Sequence, residues 1–494
     1  MKIYLDETPP GSGKSYRAID NSARQPCKIL FITERIEQFE ELAQEMHQAT
    51  ARHSTSPTIR HIHSNPGDRG NSVSRKIECL PEDYAHLDHV IVIATHAAML
   101  RSDFSNFAGW QIIVDEVPQF LDFEEKQTHL DAAFFQRHYK LDDLGDGWSA
   151  VTLTEAGQEI SAADVRADES HAHLAVFHAR VIEASKGDST RFVLCNLPEW
   201  DAMENRKVKW CWASTFSLWE LEAFDRVTLL GNRFRSDIGS IMSDALSVKP
   251  VEFIELSPVQ HPKEFMRRRV HIHYFSDVRT SSRACFESDA GQKMLGEIGV
   301  YLARRMPQDG FIWSANDSVS GDSLMSPRQA IQSSGLAASR YLLPRQAGTN
   351  AHKHISHAAM IYAAKPPPNL VSLLRKFGVP DELWTASVER EAVLQFMTRT
   401  SVRDPDNAAP VHLWVFDRQQ ALYLKEHFDR LDYTVASLEM VEDGPVVPMP
   451  SKRGPKPATR SPEEQAAFDA ERRRRDAERN RRNRALKKKL NKAA

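Results

Sequence analysis

The sequence has no apolar run near the roughly 20 residues that a membrane-crossing helix needs, so no transmembrane span is expected. Cysteine is scarce. Cys27, Cys79, Cys195, Cys211 and Cys285 are scattered without a Cys-x-x-Cys pair, which argues against a disulfide framework and against a thiolate zinc site. A basic leader followed by an apolar block is also missing. Met1–Asp6 reads as a short strand, and a cytoplasmic location, in a bacterium or a host cell, is the expectation. The net charge of −3 hides a division of charge along the chain. Residues 451–494 hold 16 Lys and Arg against 6 Asp and Glu, whereas residues 1–450 hold 48 against 61. An acidic body therefore carries a basic tail.

A chain of 494 residues exceeds one ordinary core and suits two lobes with appendages. Short β-branched and aromatic runs alternate with segments of helical periodicity, the pattern of parallel sheets covered by helices. The strands expected in a first set are Lys2–Leu5, Ile29–Thr33, Val90–Ala94, Ile112–Val114, Lys207–Trp212 and Val227–Leu230. A second set comprises Val270–Phe275, Phe311–Ser314, Met360–Ala363 and Val411–Phe416. The division falls near residues 245–268, giving a first lobe over 1–250, a second over 251–445 and a linker with basic tail over 446–494. Residues 120–205 are polar and partly helical, and they read as a helical insertion into the first lobe. The fold class expected is α/β.

The first strand runs into Thr8-Pro9-Pro10-Gly11-Ser12-Gly13-Lys14-Ser15, followed by a helix-compatible segment. Strand, glycine-rich loop and helix in that order make a phosphate cradle. After Pro10, backbone N–H groups of Gly11, Ser12, Gly13, Lys14 and Ser15 converge on the β-phosphate, Lys14 reaches the β and γ oxygens, and the Ser15 hydroxyl ligates Mg²⁺. Thr8 stands where the strict pattern has its first glycine. A Gly-rich turn is the plain alternative. A hundred residues on, the strand ending in Val114 is followed by Asp115 and Glu116. Asp115 suits Mg²⁺ binding through water, and Glu116 suits polarising an attacking water. Adjacent acids at a strand end are otherwise a solvated turn. Asp168-Glu169-Ser170-His171 has related letters but lies in a polar helical region that no strand aims, and it reads as surface.

With these two motifs the chain resembles the superfamily-two DEAD/DEAH-like helicases, over roughly residues 1–440. The resemblance implies two tandem RecA-like lobes, ATP and Mg²⁺ as cofactors, and a nucleic-acid partner, single-stranded DNA or a duplex junction. Thr33 with Arg35, and Thr95 with His96, resemble the two strand-end segments of the first lobe that touch the nucleic-acid backbone. Each is also an ordinary strand-to-helix turn. Trp212-Ala213-Ser214-Thr215-Phe216 is similar to the Ser-Ala-Thr coupling motif, with the order changed. Gly348-Thr349-Asn350 resembles the second-lobe motif that contacts nucleic acid and nucleotide. Gln395-Phe-Met-Thr-Arg399-Thr-Ser-Val-Arg403 resembles the arginine-finger segment, with Thr398 in place of glycine and the arginines four apart instead of three.

A guanidinium delivered from the opposite lobe would neutralise charge growing on the transferring phosphoryl group. Either Arg399 or Arg403 could be that finger, and arginines four apart also mark a solvated helix face. His352, His354 and His357 have a spacing a metal could use, but no carboxylate or cysteine stands nearby in sequence. His61 and His63, like His271 and His273, alternate along strands and read as half-exposed side chains. The tail, with Arg472–Arg475, Arg479, Arg481, Arg482, Arg484 and Lys487–Lys489, has the charge density of a phosphate binder. Phe468 is its sole aromatic, so base stacking is not expected there. The compact length and basic tail suggest helicases of phages or mobile elements. Replication or recombination proteins are candidate partners through the insertion or the tail. The rival readings are a packaging ATPase whose second lobe is a nuclease, and a nucleotide-gated nucleic-acid switch that does not unwind.

Overall fold

Buried apolar runs, not alternating ones, mark strands covered on both faces, and two parallel sheets are built from them in a computed structural model of the chain. The structure describes residues 1–64, 73–128, 131–187, 189–196, 208–246, 250–256, 264–278, 281–307, 309–317, 325–344, 351–445 and 447. In chain order, β1 is Lys2–Leu5, β2 Lys28–Thr33, β3 Thr58–His61, β4 Val90–Thr95 and β5 Trp110–Asp115. They are joined in one sheet by β11 (Arg226–Leu230) and β12 (Glu252–Glu255), in the order β12-β1-β11-β5-β2-β4-β3, with every pairing parallel. Leu30, Ile32, Val92 and Val114 face one core, while Ile29, Phe31, Ile91 and Ile93 face another. The first sheet thus runs past residue 250, because β12 takes the edge beside β1.

The second lobe is a five-stranded parallel sheet. Its strands are β13 (Arg268–Ser276), β14 (Phe311–Ala315), β15 (His357–Ile361), β16 (Val411–Asp417) and β17 (Thr434–Met440), in the order β14-β15-β16-β13-β17. Leu413 and Val415 pack on one side, Trp414 and Phe416 on the other. Two parallel sheets with covering helices give the α/β class expected from the sequence.

Residues between Glu116 and β11 depart from expectation. They hold a second kind of sheet, antiparallel, with β6 (Leu121–Thr128), β7 (Tyr139–Gly145), β8 (Trp148–Leu153), β9 (Phe192–Asn196) and β10 (Val208–Thr215) in the order β6-β10-β9-β8-β7. The helical insertion is therefore a sheet with helices against it. The segment expected as a strand of the first parallel sheet, Lys207–Trp212, supplies β10 of this sheet instead, because Trp210 and Trp212 pack with Phe135 and Phe177 in the insertion's own core. A further core is shared between modules: Trp148, Leu194 and Ala213 of the insertion meet Leu370, Leu373 and Leu374 of the helix Pro368–Lys376 in the second lobe. Polar contacts follow the same seam. Trp148 Nε1 donates to Ser372 Oγ at 3.3 Å, and Asn369 Nδ2 donates to Glu125 Oε2 at 2.7 Å.

Candidate active site

In the first sheet the strand ends β1, β11, β5, β2 and β4 open on one edge, so the residues just after them converge, as in open α/β sheets generally. After β1 the loop turns through Gly11 at φ 85° and Gly13 at φ 82°, left-handed conformations that glycine adopts without a Cβ clash. Gly13 caps the helix Lys14–Arg24, which buries Ala18, Ile19 and Ala23 against the sheet. Thr8, the departure from the strict glycine pattern, braces this loop. Its hydroxyl donates to Asp6 Oδ1 at 2.5 Å and accepts from Arg17 Nη2 at 3.2 Å, with Ser12 Oγ 2.7 Å away. Arg17 adds an ion pair to Asp6 at 2.8 Å and a bond to the Ser12 carbonyl at 2.6 Å. A side chain at this position is thus used as a brace that glycine cannot supply.

Lys14 is enclosed, and its Nζ donates to the carbonyls of Thr8 at 2.5 Å and Pro9 at 3.2 Å. Burial lowers its pKa, opposed by the charges of Asp115, Asp6, Glu116 and Glu391. Ser15 Oγ donates to Asp115 Oδ2 at 2.7 Å, tying the helix start to the end of β5. Burial raises the pKa of Asp115, opposed by that bond and by Lys14. Glu116 adopts φ 65°, a left-handed conformation costing a non-glycine residue on the order of 1–2 kcal/mol. Its pKa is pushed up to about 8 by burial and by the Asp115 charge, opposed by Arg399 and Arg403. His96 is buried, and burial lowers its pKa to about 4. Its neutral ring donates from Nε2 to the Asp115 carbonyl at 2.8 Å, which fixes the proton on that nitrogen.

The second lobe meets these groups from the opposite side. The helix Glu391–Met397 ends just before Arg399, whose Nε donates to the Gln395 carbonyl at 3.2 Å. Arg399 is 2% exposed, and burial with the neighbouring Arg403 charge lowers its pKa to about 10. Burial also lowers that of Arg403, with Glu116 the largest opposing charge. A Cβ on Gly11 would stand 3.7 Å from Arg403 Cγ, so the arginine stem lies over the loop of the first lobe. Arg399 Nη1 and Arg403 Nε are buried donors without a partner among the described residues.

A single cleft of about 750 Å³ brings together Pro10, Gly11, Gly13, Lys14, Ser15, Asp115, Glu116, His96, Gln395, Arg399 and Arg403. Ser12 does not line it, since its hydroxyl lies against Thr8. Thr33 and Arg35 stand behind the lining: the Thr33 hydroxyl donates to Gln38, and the Arg35 N–H bonds the same Gln38 oxygen at 3.3 Å. Thr95 caps the helix His96–Met99, accepting from Ala98 N at 3.3 Å. Ser214 and Thr215 lie on β10 of the antiparallel sheet and do not line the cleft. Gly348, Thr349 and Asn350 lie outside the described residues, as does the tail from 448. Asp168 and Glu169 are exposed in a turn after the helix Ala162–Ala167. Sequence reasoning missed Asn232, Glu391 and Tyr423, which line the cleft. For Asn232 the signal was present, since it comes just after the β11 run as Glu116 comes just after β5. For Glu391 and Tyr423 only the lobe geometry reveals the position.

No protein-family model matches the sequence, and no curated protein does. Among solved structures the chain is similar to an XPD helicase, with a TM-score of 0.49 and 11% identity, covering 89% of this chain and 96% of that one. It is similar to Xpd4 of S. tokodaii, with a TM-score of 0.40 and 10% identity over 88% and 96% of the two chains. A third is the Mycobacterium smegmatis helicase Lhr bound to ssDNA and AMP-PNP, with a TM-score of 0.32 and 12% identity over 88% of this chain and 47% of that one.

Proposed function

We propose that the chain is an ATP-driven nucleic-acid translocase, a DNA helicase, in which two RecA-like lobes close on ATP at their interface. One observation carries this reading: Lys14, Asp115 and Glu116 of the first lobe and Arg399 and Arg403 of the second line one cleft. The left-handed glycines of the loop and the unpartnered guanidinium N–H groups suit a phosphate chain. Ser15 and Asp115 are the residues that would hold magnesium, which when bound supplies positive charge beside the phosphate oxygens. Lys14 exchanges its own loop carbonyls for phosphate oxygens. Glu116, as the carboxylate, takes the proton of the attacking water. Arg399 and Arg403 donate to oxygens on which charge grows, and Gln395 holds the first of them through its carbonyl.

Because those donors come from different lobes, hydrolysis weakens the bond between the lobes and lets them part. Alternation of the two states moves a strand along the lobes. Thr33, Arg35, Thr95, His96 and Gly348–Asn350 are proposed for strand contact and coupling, and Ser214 and Thr215 for coupling at one remove from the cleft. The basic tail is proposed as an added phosphate-binding element.

ATP hydrolysis measured with single-stranded DNA, duplex DNA and RNA tests this, together with strand displacement on substrates carrying either overhang. Stimulation by nucleic acid at least about tenfold, displacement of one overhang type, and loss of both in Lys14→Ala support the motor. Slow hydrolysis indifferent to nucleic acid would favour a switch, and strand cleavage a packaging nuclease. Either result overturns the proposal.

A further inference from the structure

β11 lies between β1, which carries the loop, and β5, which carries the two carboxylates, so Asn232 just beyond it stands at the centre of the first lobe's catalytic edge. Its amide Nδ2 donates to both carboxylate oxygens of Glu391, at 3.1 and 3.0 Å. Glu391 is the first residue of the second-lobe helix Glu391–Met397. The Tyr423 hydroxyl donates to the same carboxylate at 3.2 Å, and the Arg233 guanidinium lies 4.6 Å over the Tyr423 ring. A little further on, Ser387 Oγ donates to Asp237 Oδ2 at 2.7 Å and accepts from Ile238 N at 3.3 Å. The loop after β11 therefore grips the second lobe on the segment that leads into the arginines.

The grip is half-buried and charged. Burial raises the pKa of Glu391, opposed by the bonds from Asn232 and Tyr423. Removing the amide would leave an enclosed carboxylate short of a donor, a large penalty in a poorly solvated site. The carboxylate is also mechanically placed. Gln395 lies one turn along the same helix, and its carbonyl holds Arg399 Nε. A shift of Glu391 relative to Asn232 moves the helix end, and with it the guanidinium.

Resting on the ATPase reading above, we propose that Asn232 and Glu391 form the contact by which the first lobe positions Arg399 and Arg403: Glu391 is a positioning residue that acts through the helix and does not itself bind the phosphate chain. The loop after β11 thereby takes a share in coupling directly at the cleft, beside the role proposed for Ser214 and Thr215 at one remove from it.

The test is a polarity exchange in the full chain, comparing wild type, Asn232→Asp, Glu391→Gln and the double variant. Asn232→Asp alone opposes two carboxylates, whereas the double variant restores one donor facing one carboxylate with the roles reversed. The expected result is a fall in kcat of at least about tenfold in Asn232→Asp with KM for ATP within about twofold, recovered to within about threefold in the double variant, as coupling between contacting residues allows. Hydrogen exchange of the amides in Glu391–Met397 should quicken in Asn232→Asp and slow again in the double variant, while exchange in the first sheet stays unchanged. A rise in KM at constant kcat would make Glu391 a direct nucleotide ligand and overturn the proposal. So would a double variant no better than Asn232→Asp, or Asn232→Asp indistinguishable from wild type. A wild-type chain without hydrolysis instead refutes the ATPase reading itself.

Discussion

Ser15 and Asp115, a hundred residues apart, are joined by a 2.7 Å hydrogen bond from the hydroxyl to the carboxylate at the end of β5. The pair sets two oxygens side by side where magnesium would be held. Ser15→Ala removes one of them and leaves the half-buried Asp115 carboxylate a donor short. The magnesium concentration for half-maximal ATP hydrolysis should rise at least about tenfold, as loss of a group supporting a metal site does elsewhere. A magnesium titration of turnover checks this, and an unchanged midpoint would remove Ser15 from the metal site.

Glu116 gives a pH signature. Burial and the Asp115 charge raise its folded pKa to about 8, above its ordinary carboxylate value. Between those values the unfolded chain has released the proton and the folded chain has kept it, so the contribution of Glu116 to stability falls as pH rises and is flat above about 8. Glu116→Gln lacks this loss. The melting temperature of Glu116→Gln relative to wild type should therefore climb as pH increases from about 5 to 8 and then level off. A difference independent of pH would show that the carboxyl titrates normally. Turnover has the complementary sign, increasing with pH through this range as the carboxylate base forms.

The parallel sheets were legible because strands buried on both faces read as nearly continuous apolar runs: Ile29–Thr33, Val90–Ala94 and Val411–Phe416 stand out against any helical period. The glycine loop after β1 and the Asp115-Glu116 pair after β5 were legible as candidates because each is a polar segment placed just after a strand. The antiparallel sheet was not. In β6 the sequence is Leu-Asp-Phe-Glu-Glu-Lys-Gln-Thr and in β7 Tyr-Lys-Leu-Asp-Asp-Leu-Gly, where charged and polar residues make up most of the first and nearly half of the second and hide the strands. Trp210 and Trp212 looked like parallel core, yet their partners are Phe135 and Phe177 of the insertion. Glu391 carries no local signal, because its meaning comes from Asn232, 159 residues earlier.

Trp148 tests whether the insertion and the second lobe share one core. It is fully buried among Leu370, Leu373 and Leu374, and its indole N–H reaches Ser372. Trp148→Ala should lower the unfolding free energy by about 3–5 kcal/mol, the range for deleting a buried aromatic side chain. Urea denaturation of the full chain measures this. A loss below about 1 kcal/mol would mean that the insertion packs elsewhere in solution.

The most direct test of the central claim, that both lobes act on one triphosphate, is single-turnover ATP hydrolysis by Arg399→Ala and Arg403→Ala with nucleotide affinity measured alongside. The account predicts that at least one variant slows hydrolysis by about a thousandfold, as removal of an arginine finger does, while Kd for ATP changes only a few fold. Wild-type hydrolysis rates in both variants would contradict it.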